Sequence, residues 1–294
     1  MYEEFRQYLG PVRPCAICRQ GDDGGAREVW AREEYFTALR CTRCGLVQVD
    51  PGLTPEGLTF YYSTYLTHRL EDTLKAEQRR VQYQQDAAFL QRFATSGRIL
   101  DVGCSGGFFL DALGAGYDRV GLEIDPEAAR FAREKFGLDV RASILGEDGL
   151  DDGQFDVVLF RGVIEHIYDP GAALARATAL LKPGGRIYFC ATPNLNAFCA
   201  EVYREKWNLW HPVQHINIFT VETLHQLLGA DRFDLEGADY PYLGTPYEQA
   251  AEDYRRVAED VPVLQRDRSA LTRKSPPFWG NMMSVVYRMR GSQR

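Results

Sequence analysis

What this 294-residue chain lacks already narrows its class. No apolar run approaches the ~18 residues that a membrane-crossing helix needs, so no membrane partner is expected. The opening MYEEFRQYLG has no cationic start followed by an apolar stretch, so no secretory signal is expected there. There is no internal repeat and no low-complexity tract. Positive charge is in deficit: 34 Lys and Arg stand against 41 Asp and Glu, for a formal net charge of −7. A chain of that balance is a poor candidate for wrapping a phosphate backbone, and a nucleic-acid partner is not expected. Only five of the 34 cations are Lys, which reads as genome composition and carries no functional inference. Seven Cys, an odd number scattered over a long chain, suit a reduced cytoplasmic protein better than a disulfide scaffold.

What is present is an ordinary globular balance, 45% hydrophobic and 26% charged, which excludes disordered and fibrous classes. The length allows one large domain or two unequal ones. Residues 1–50 hold four of the Cys in two pairs. Residues 51–96 read as helical from Pro55 onward, with Leu70, Leu74, Val81, Ala88 and Phe89 only loosely at helical spacing, so a connector or lid is expected. Residues 97–294 carry short apolar strands alternating with helices: RILDV (98–102), RVGLEI (119–124), LDVRASI (138–144), FDVVLF (155–160) and RIYFCAT (186–192). Asp125-Pro126 should cap and start a helix, and Lys182-Pro183-Gly184-Gly185 should stop the one before it. A strand, an insert at about 245–277 and a further strand close the chain. Nearly continuous apolar strands alternating with helices predict an α/β, Rossmann-like parallel sheet covered on both faces. Its ligands should sit at the carboxyl ends of the strands.

The turn after the first of these strands is Asp101-Val102-Gly103-Cys104-Ser105-Gly106-Gly107. A nicotinamide dinucleotide fingerprint wants Gly-x-Gly-x-x-Gly, but from Gly103 its second and third glycines fall on Ser105 and Phe108. Asp101 and Glu123, each at a strand end, would also repel a pyrophosphate. Carboxylates there suit a cationic ligand.

ILDVGCSGGFFL resembles the first motif of class I S-adenosylmethionine-dependent methyltransferases, Asp-x-Gly-x-Gly-x-Gly, with Ser105 at the middle Gly. VGLEID, FDVVLFRGVIEHIYDP and LKPGGRIYFCATPN are similar to the family's following motifs, in the same order. The resemblance covers Arg98–Pro193 well and reaches more weakly to Arg288. It implies that Asp101 and Gly103 shape the methionine end of the cofactor. The backbone of Cys104 and Gly107 would approach it, Glu123 would grip the ribose hydroxyls, and Ile124 would pack on the adenine. Ser143 and Ile144 would meet the adenine ring, and Arg161 would line the methionine side.

Cys15-x2-Cys18 and Cys41-x2-Cys44 can form two knuckles around one tetrahedral Zn2+, and four thiolates make the metal structural. Cys104, Cys190 and Cys199 read as small core residues. Some ribosomal RNA methyltransferases start with a zinc ribbon, but residues 11–50 balance six Arg against six acids. A ribbon followed by LTFYYSTYL resembles methyltransferases of sugar and natural-product pathways, where it would cover a small-molecule acceptor or mediate subunit contact in a homodimer.

A base for methyl transfer would be His. His166 follows the fourth strand. His215 lies in a stretch that looks like the His-Glu-His-x-x-Tyr-Phe-Ser segment of sugar C-methyltransferases, with Gln214 for the Glu and Val213 for the first His. Those departures make O-methylation the simpler expectation. His215 is the expected base and His166 its helper, with His68 and His225 in bland roles and Trp207, Trp210, Tyr240 and Tyr242 as a possible acceptor wall. The expectation is therefore methyl transfer to a hydroxyl of a sugar or natural-product intermediate. C- or N-methylation of a sugar, RNA methylation and a non-catalytic cofactor-binding protein are the alternatives.

Overall fold

The computed structural model describes residues 2–19, 27–65 and 73–291; the expectations for His68 and Leu70 lie outside them. Two sheets organise the chain. The larger has seven strands: β4 (Gly97–Val102), β5 (Tyr117–Glu123), β6 (Asp139–Ala142), β7 (Phe155–Arg161), β8 (Leu181–Pro193), β10 (Phe233–Asp239) and β11 (Met282–Met289). Their order is β10-β11-β8-β7-β4-β5-β6. The five strands β4 to β8 run parallel, and β11 and β10 close one edge antiparallel.

The parallel strands are apolar because both faces are covered. In β7, Val157, Val158, Leu159 and Phe160 are all buried. The chain runs from β4 outward to β5 and β6, then returns to β7 and β8 on the other side of β4. That reversal opens a crevice at the carboxyl ends of β4, β5 and β7, where ligands bind in such sheets. Between β5 and β6, helix α4 (Pro126–Phe136) is capped by the Asp125 side chain, which accepts from the Glu127 N–H at 2.9 Å. It turns Ala128, Ala129 and Ala132 inward, small residues that let it lie close to the sheet.

Two boundaries differ from expectation. The third strand shrinks to residues 139–142. The Lys182–Gly185 cluster does follow the end of helix α5 (Pro170–Leu180), but it sits as a bulge inside β8. The register jumps from Phe155↔Leu181 to Val157↔Arg186, because Pro183 has no N–H to donate and Gly184 is left-handed at φ 76.

The smaller sheet has the order β1-β2-β3-β9, built from β1 (Arg27–Glu33), β2 (Phe36–Cys41), β3 (Val47–Val49) and β9 (Asn217–Ile218). The last strand comes from far along the chain and pairs Val47↔Ile218 and Gln48↔Asn217. Trp30 packs edge-on against Trp207 and Trp210, at ring-centroid distances of 6.4 and 5.8 Å. The amino-terminal sheet thus shares a core with the segment after β8. Helices α1 (Pro55–Tyr65) and α2 (Thr73–Gln91) connect the two sheets in sequence. No helix among the described residues is long and apolar enough to cross a membrane.

Candidate functional site

A cavity of about 920 Å³ occupies the crevice. Asp101, Gly103, Cys104, Glu123, Ile124, Ser143, Ile144, Arg161, His166 and His215 all line it. Gly107 does not: a Cβ there would lie 2.6 Å from Leu138 and 2.9 Å from Ala132. Its lack of a side chain serves the packing of α4, and it lies outside the cavity lining. Gly103 is left-handed at φ 75, and a Cβ on it would meet Val163 at 2.8 Å, so only glycine brings the turn this near β7. Ser105 adopts a similarly glycine-like conformation, φ 51.

The two strand-end acids are held differently. Glu123 accepts from the Ser105 N–H at 2.7 Å and the Asp125 N–H at 2.9 Å, so the turn itself aims its carboxylate. Burial nonetheless raises its pKa, against those two hydrogen bonds. Asp101 is 1% exposed and its Oδ1 has no hydrogen-bond partner among the described residues. Burial pushes its carboxyl up to about 8, with Arg161 pulling the other way. A buried acceptor without a donor is costly unless a ligand supplies one. Beside these acids, Ile124 and Ile144 stand 53% and 44% exposed in the cavity wall, an apolar surface that a flat ring would cover. The donor set, an aimed carboxylate, an unpartnered one and an apolar shelf, fits a cation carrying a sugar and a ring.

Arg161 lines the cavity but its guanidinium is engaged by Asp86 of α2, at 3.0 Å from Nε and 2.9 Å from Nη2, and lies over the Tyr83 ring. The Asp86 charge raises its pKa against the cost of burial, so it stays a fixed cation. Sequence reasoning missed Asp86, and also Arg79, which lines the cavity from α2 without an ion pair among the described residues. Both lie on a helix whose apolar spacing is too loose to orient it.

At the other end, a short 3-10 turn after β7 presents Glu165 and His166, and the segment before β9 presents His211, Gln214 and His215. The His166 and His215 rings lie 4.9 Å apart, and His211 and His215 5.3 Å apart. His215 Nδ1 donates to the Leu209 carbonyl at 2.8 Å, and His166 Nδ1 to the Gln214 carbonyl at 2.9 Å. A carbonyl only accepts, so in each neutral ring Nε2 is the basic nitrogen. Burial, with His166 and His211 nearby, holds His215 well below the usual imidazole range, hence neutral. Gln214 accepts from the Tyr61 hydroxyl at 3.0 Å.

The aromatic expectations divide. Trp207 and Trp210 are fully buried in packing against Trp30 and do not line the cavity. Tyr242 lines it, with its hydroxyl on Asp253 at 2.6 Å, whereas Tyr240 lies outside the lining. His225 bonds the Phe233 carbonyl at 2.8 Å, away from the cavity.

The four cysteines of the two pairs come together. Cys15 and Cys44 Sγ are 3.5 Å apart, Cys18 and Cys41 Sγ 3.4 Å, and all four lie within 4.8 Å of one another. Tetrahedral zinc at ~2.3 Å from each sulfur needs sulfurs about 3.8 Å apart, so the donor set fits. The hydrogen bond between Cys15 and Cys44 draws Cys15 toward the thiolate and holds Cys44 as the thiol. Cys104, Cys190 and Cys199 are buried singly.

A family model described as a methyltransferase domain matches residues 76–237, more than half of the chain. Ubiquinone biosynthesis O-methyltransferase of Cereibacter sphaeroides is 34% identical over 155 residues, 48% of this chain and 62% of that protein. The enzyme of that name in Methylococcus capsulatus is 36% identical over 99 residues, 31% of this chain and 42% of that one. The chain thus spans about half the length of these curated relatives. Among solved structures, a SAM-dependent methyltransferase of Thermotoga maritima superposes with a TM-score of 0.55 at 18% identity, covering 79% of this chain and 99% of that one. A 1,6-didemethyltoxoflavin-N1-methyltransferase of Burkholderia thailandensis, solved with S-adenosylhomocysteine, gives 0.51 at 18% identity, covering 90% and 99%. At that identity the likeness is one of fold.

Proposed function

The chain belongs to the methyltransferase domain family, and from that premise we propose that it transfers the methyl group of S-adenosylmethionine to a hydroxyl of a small molecule. The observation that carries this reading is the pair of strand-end acids. Asp101 is buried with an unpartnered oxygen, and Glu123 is aimed by two backbone amides into the same cavity. A sulfonium-bearing nucleoside offers the positive charge and the ribose hydroxyls that these two would take. Glu123 would hold the ribose, Ile124, Ser143 and Ile144 the adenine, and Asp101, Gly103 and Cys104 the amino-acid end, with Arg161 beside it. When bound, the donor supplies an electrophilic methyl group, and in-line alignment supplies much of the acceleration.

The chain's own contribution at the acceptor end is proton handling. His215, kept neutral with Nε2 as its basic nitrogen, is the proposed proton acceptor, and His166 beside it orients the acceptor. The O-methyltransferase names of the curated relatives favour oxygen as the methylated atom. A sugar or natural-product intermediate is the proposed acceptor class, with Thr245, Tyr247 and Pro277 of the insert at about 245–277 in the cavity lining.

The proposed organisation is a zinc-binding ribbon at 1–50, a helical connector at 51–96 and a catalytic domain at 97–294. Zn2+ on Cys15, Cys18, Cys41 and Cys44 would be structural, since four protein ligands leave no open position. Those thiolates would persist in a reducing cytoplasm.

Calorimetry on metal-replete protein tests the reading. Saturable heat with S-adenosylmethionine and with S-adenosylhomocysteine is expected, strongly weakened in Glu123→Ala. Mass spectrometry of phenolic and sugar acceptors should then find a singly methylated product, slower to form in His215→Ala while donor binding persists. Absence of heat with both nucleosides would overturn the proposal.

A further inference from the structure

The acceptor end of the cavity contains more than a base. Glu165, His166 and His215 place a carboxylate oxygen and two imidazole nitrogens within 4.8 Å of one another. Glu165 Oε1 is 3.8 Å from His166 Nε2, and Glu165 Oε2 is buried with no hydrogen-bond partner among the described residues. A carboxylate sunk into the wall with an orphaned oxygen needs a positive charge or a donor.

The imidazoles are oriented as metal ligands are. Each Nδ1–H is fixed on a backbone carbonyl, Gln214 for His166 and Leu209 for His215, so each Nε2 is the donor nitrogen. Both rings come from short, anchored backbone, the turn after β7 and the stretch leading into β9. All three groups line the cavity, so a cation here would be open on its far side.

We propose that Glu165, His166 and His215 bind one divalent cation, whose open positions take the acceptor hydroxyl. Two imidazoles and one carboxylate suit the borderline first-row ions Mn2+, Fe2+, Co2+ and Zn2+ better than Mg2+. Ligand distances of ~2.0–2.2 Å require the three atoms to close by about 1 Å, a movement within reach of side-chain rotation.

Cation binding stands by itself; its use on an acceptor rests on the methyl-transfer reading. There it deepens that reading. His215 then acts as a ligand in place of the proton acceptor, and the cation lowers the pKa of the hydroxyl it holds. The hydroxyl proton leaves to solvent. The oxygen forms the new bond to the methyl carbon of the sulfonium donor as the carbon–sulfur bond breaks, and the bonding pair stays on sulfur as a neutral thioether.

Mn2+ is the probe, added to protein carrying one zinc per chain so that only the four thiolates are filled; thiolate sites prefer softer ions and the Cys cluster will not exchange for it. Titration followed by electron paramagnetic resonance should show one Mn2+ bound per chain. Glu165→Gln and His166→Gln should each weaken it by more than about tenfold, the lower range for loss of even a supporting partner. His225→Ala, outside the cavity, should leave it unchanged. S-adenosylhomocysteine binding and the melting curve check that the variants are folded. No Mn2+ uptake by the wild type, or unchanged uptake in both folded variants, overturns the site. Chelation that leaves zinc in place should slow methyl transfer at least tenfold, restored by Mn2+; unchanged turnover overturns the catalytic use. Mn2+ bound in a chain that methylates nothing upholds the site and fails the methyl-transfer reading, so the two failures are distinguishable.

Discussion

Removing the zinc proposed for the four cysteines should loosen the His215 wall of the cavity more than the Asp101–Glu123 side. The reason is β9. His215 lies two residues before the start of this strand, and β9 is held by β3, which follows the second pair of cysteines. Three hydrogen bonds outside the ladder tie the two regions: Val49 N–H to the Ile216 carbonyl at 3.0 Å, Gln48 Nε2 to Asn217 Oδ1 at 3.0 Å, and Arg13 Nη2 to the Ile216 carbonyl at 3.4 Å. At about 1 kcal/mol net each, they hold the segment by about 3 kcal/mol, which is about a hundredfold in the ratio of closed to open. The free energy of structural zinc, ~10–16 kcal/mol in small metal-folded units, is ample to order the knuckles that support β3. Chelation should therefore speed amide exchange at Asn217 and Ile218 about a hundredfold. The amides of Leu100 and Val158, in the middle of the large sheet, should keep their rates. Hydrogen exchange read by mass spectrometry on protein confirmed metal-free is the assay. Native rates at β9 in that protein, or equal acceleration in β4 and β7, would refute the coupling.

The remaining predictions concern buried charge. Asp101, raised to about 8, is mostly protonated at pH 7 in the empty cavity, and a bound cation draws off that proton. Binding of S-adenosylmethionine should then release up to one proton at neutral pH and weaken as pH falls below about 8. Calorimetry in buffers of different ionisation heat measures this, and a heat independent of buffer would contradict it; Asp101→Asn should abolish the release. The linkage sign is that of a raised acid: its stability contribution is full below its unfolded value of 3.8 and is lost as pH rises toward 8. Asp86→Ala leaves the Arg161 guanidinium buried and alone, at a cost of about 3–5 kcal/mol in urea unfolding, and adding Arg161→Met should recover most of it. A single-variant loss below about 1 kcal/mol would show that the ion is solvated after all.

The cofactor half of the cavity was legible because it is local. A parallel strand must turn sharply into its helix, and that constraint writes Asp101, Gly103 and Ser105 into seven consecutive residues. Glu123 follows from the length of one strand-helix-strand unit. Gly107 also answers to packing that the motif does not announce: only the positions of Ala132 and Leu138 reveal which neighbours leave no room for a Cβ there. The Asp86–Arg161 pair is 75 residues apart in sequence and comes from a helix with no clean apolar stripe, so nothing local announces it.

The half of the cavity proposed for the acceptor was less legible because it is assembled by tertiary pairing. Glu165 stood in view as half of a Glu-His pair, but an acid on a turn reads as solvated until its burial is known. The two histidines are 49 positions apart, and His215 reaches His166 only because β9 adds to the sheet that the cysteine knuckles begin. One consequence follows for the whole chain. The amino-terminal segment brings no residue of its own to the Glu165–His166–His215 group, yet it fixes the backbone that carries one of the three. Substitutions at Gln48 or Arg13 should therefore act on the acceptor chemistry without touching the acceptor. Gln48→Ala removes the bond to Asn217, whose own amide holds the Ile167 carbonyl at 2.8 Å beside His166. Loss of that one side chain slackens both histidine-bearing segments at once, while the Asp101 and Glu123 end stays anchored on the large sheet.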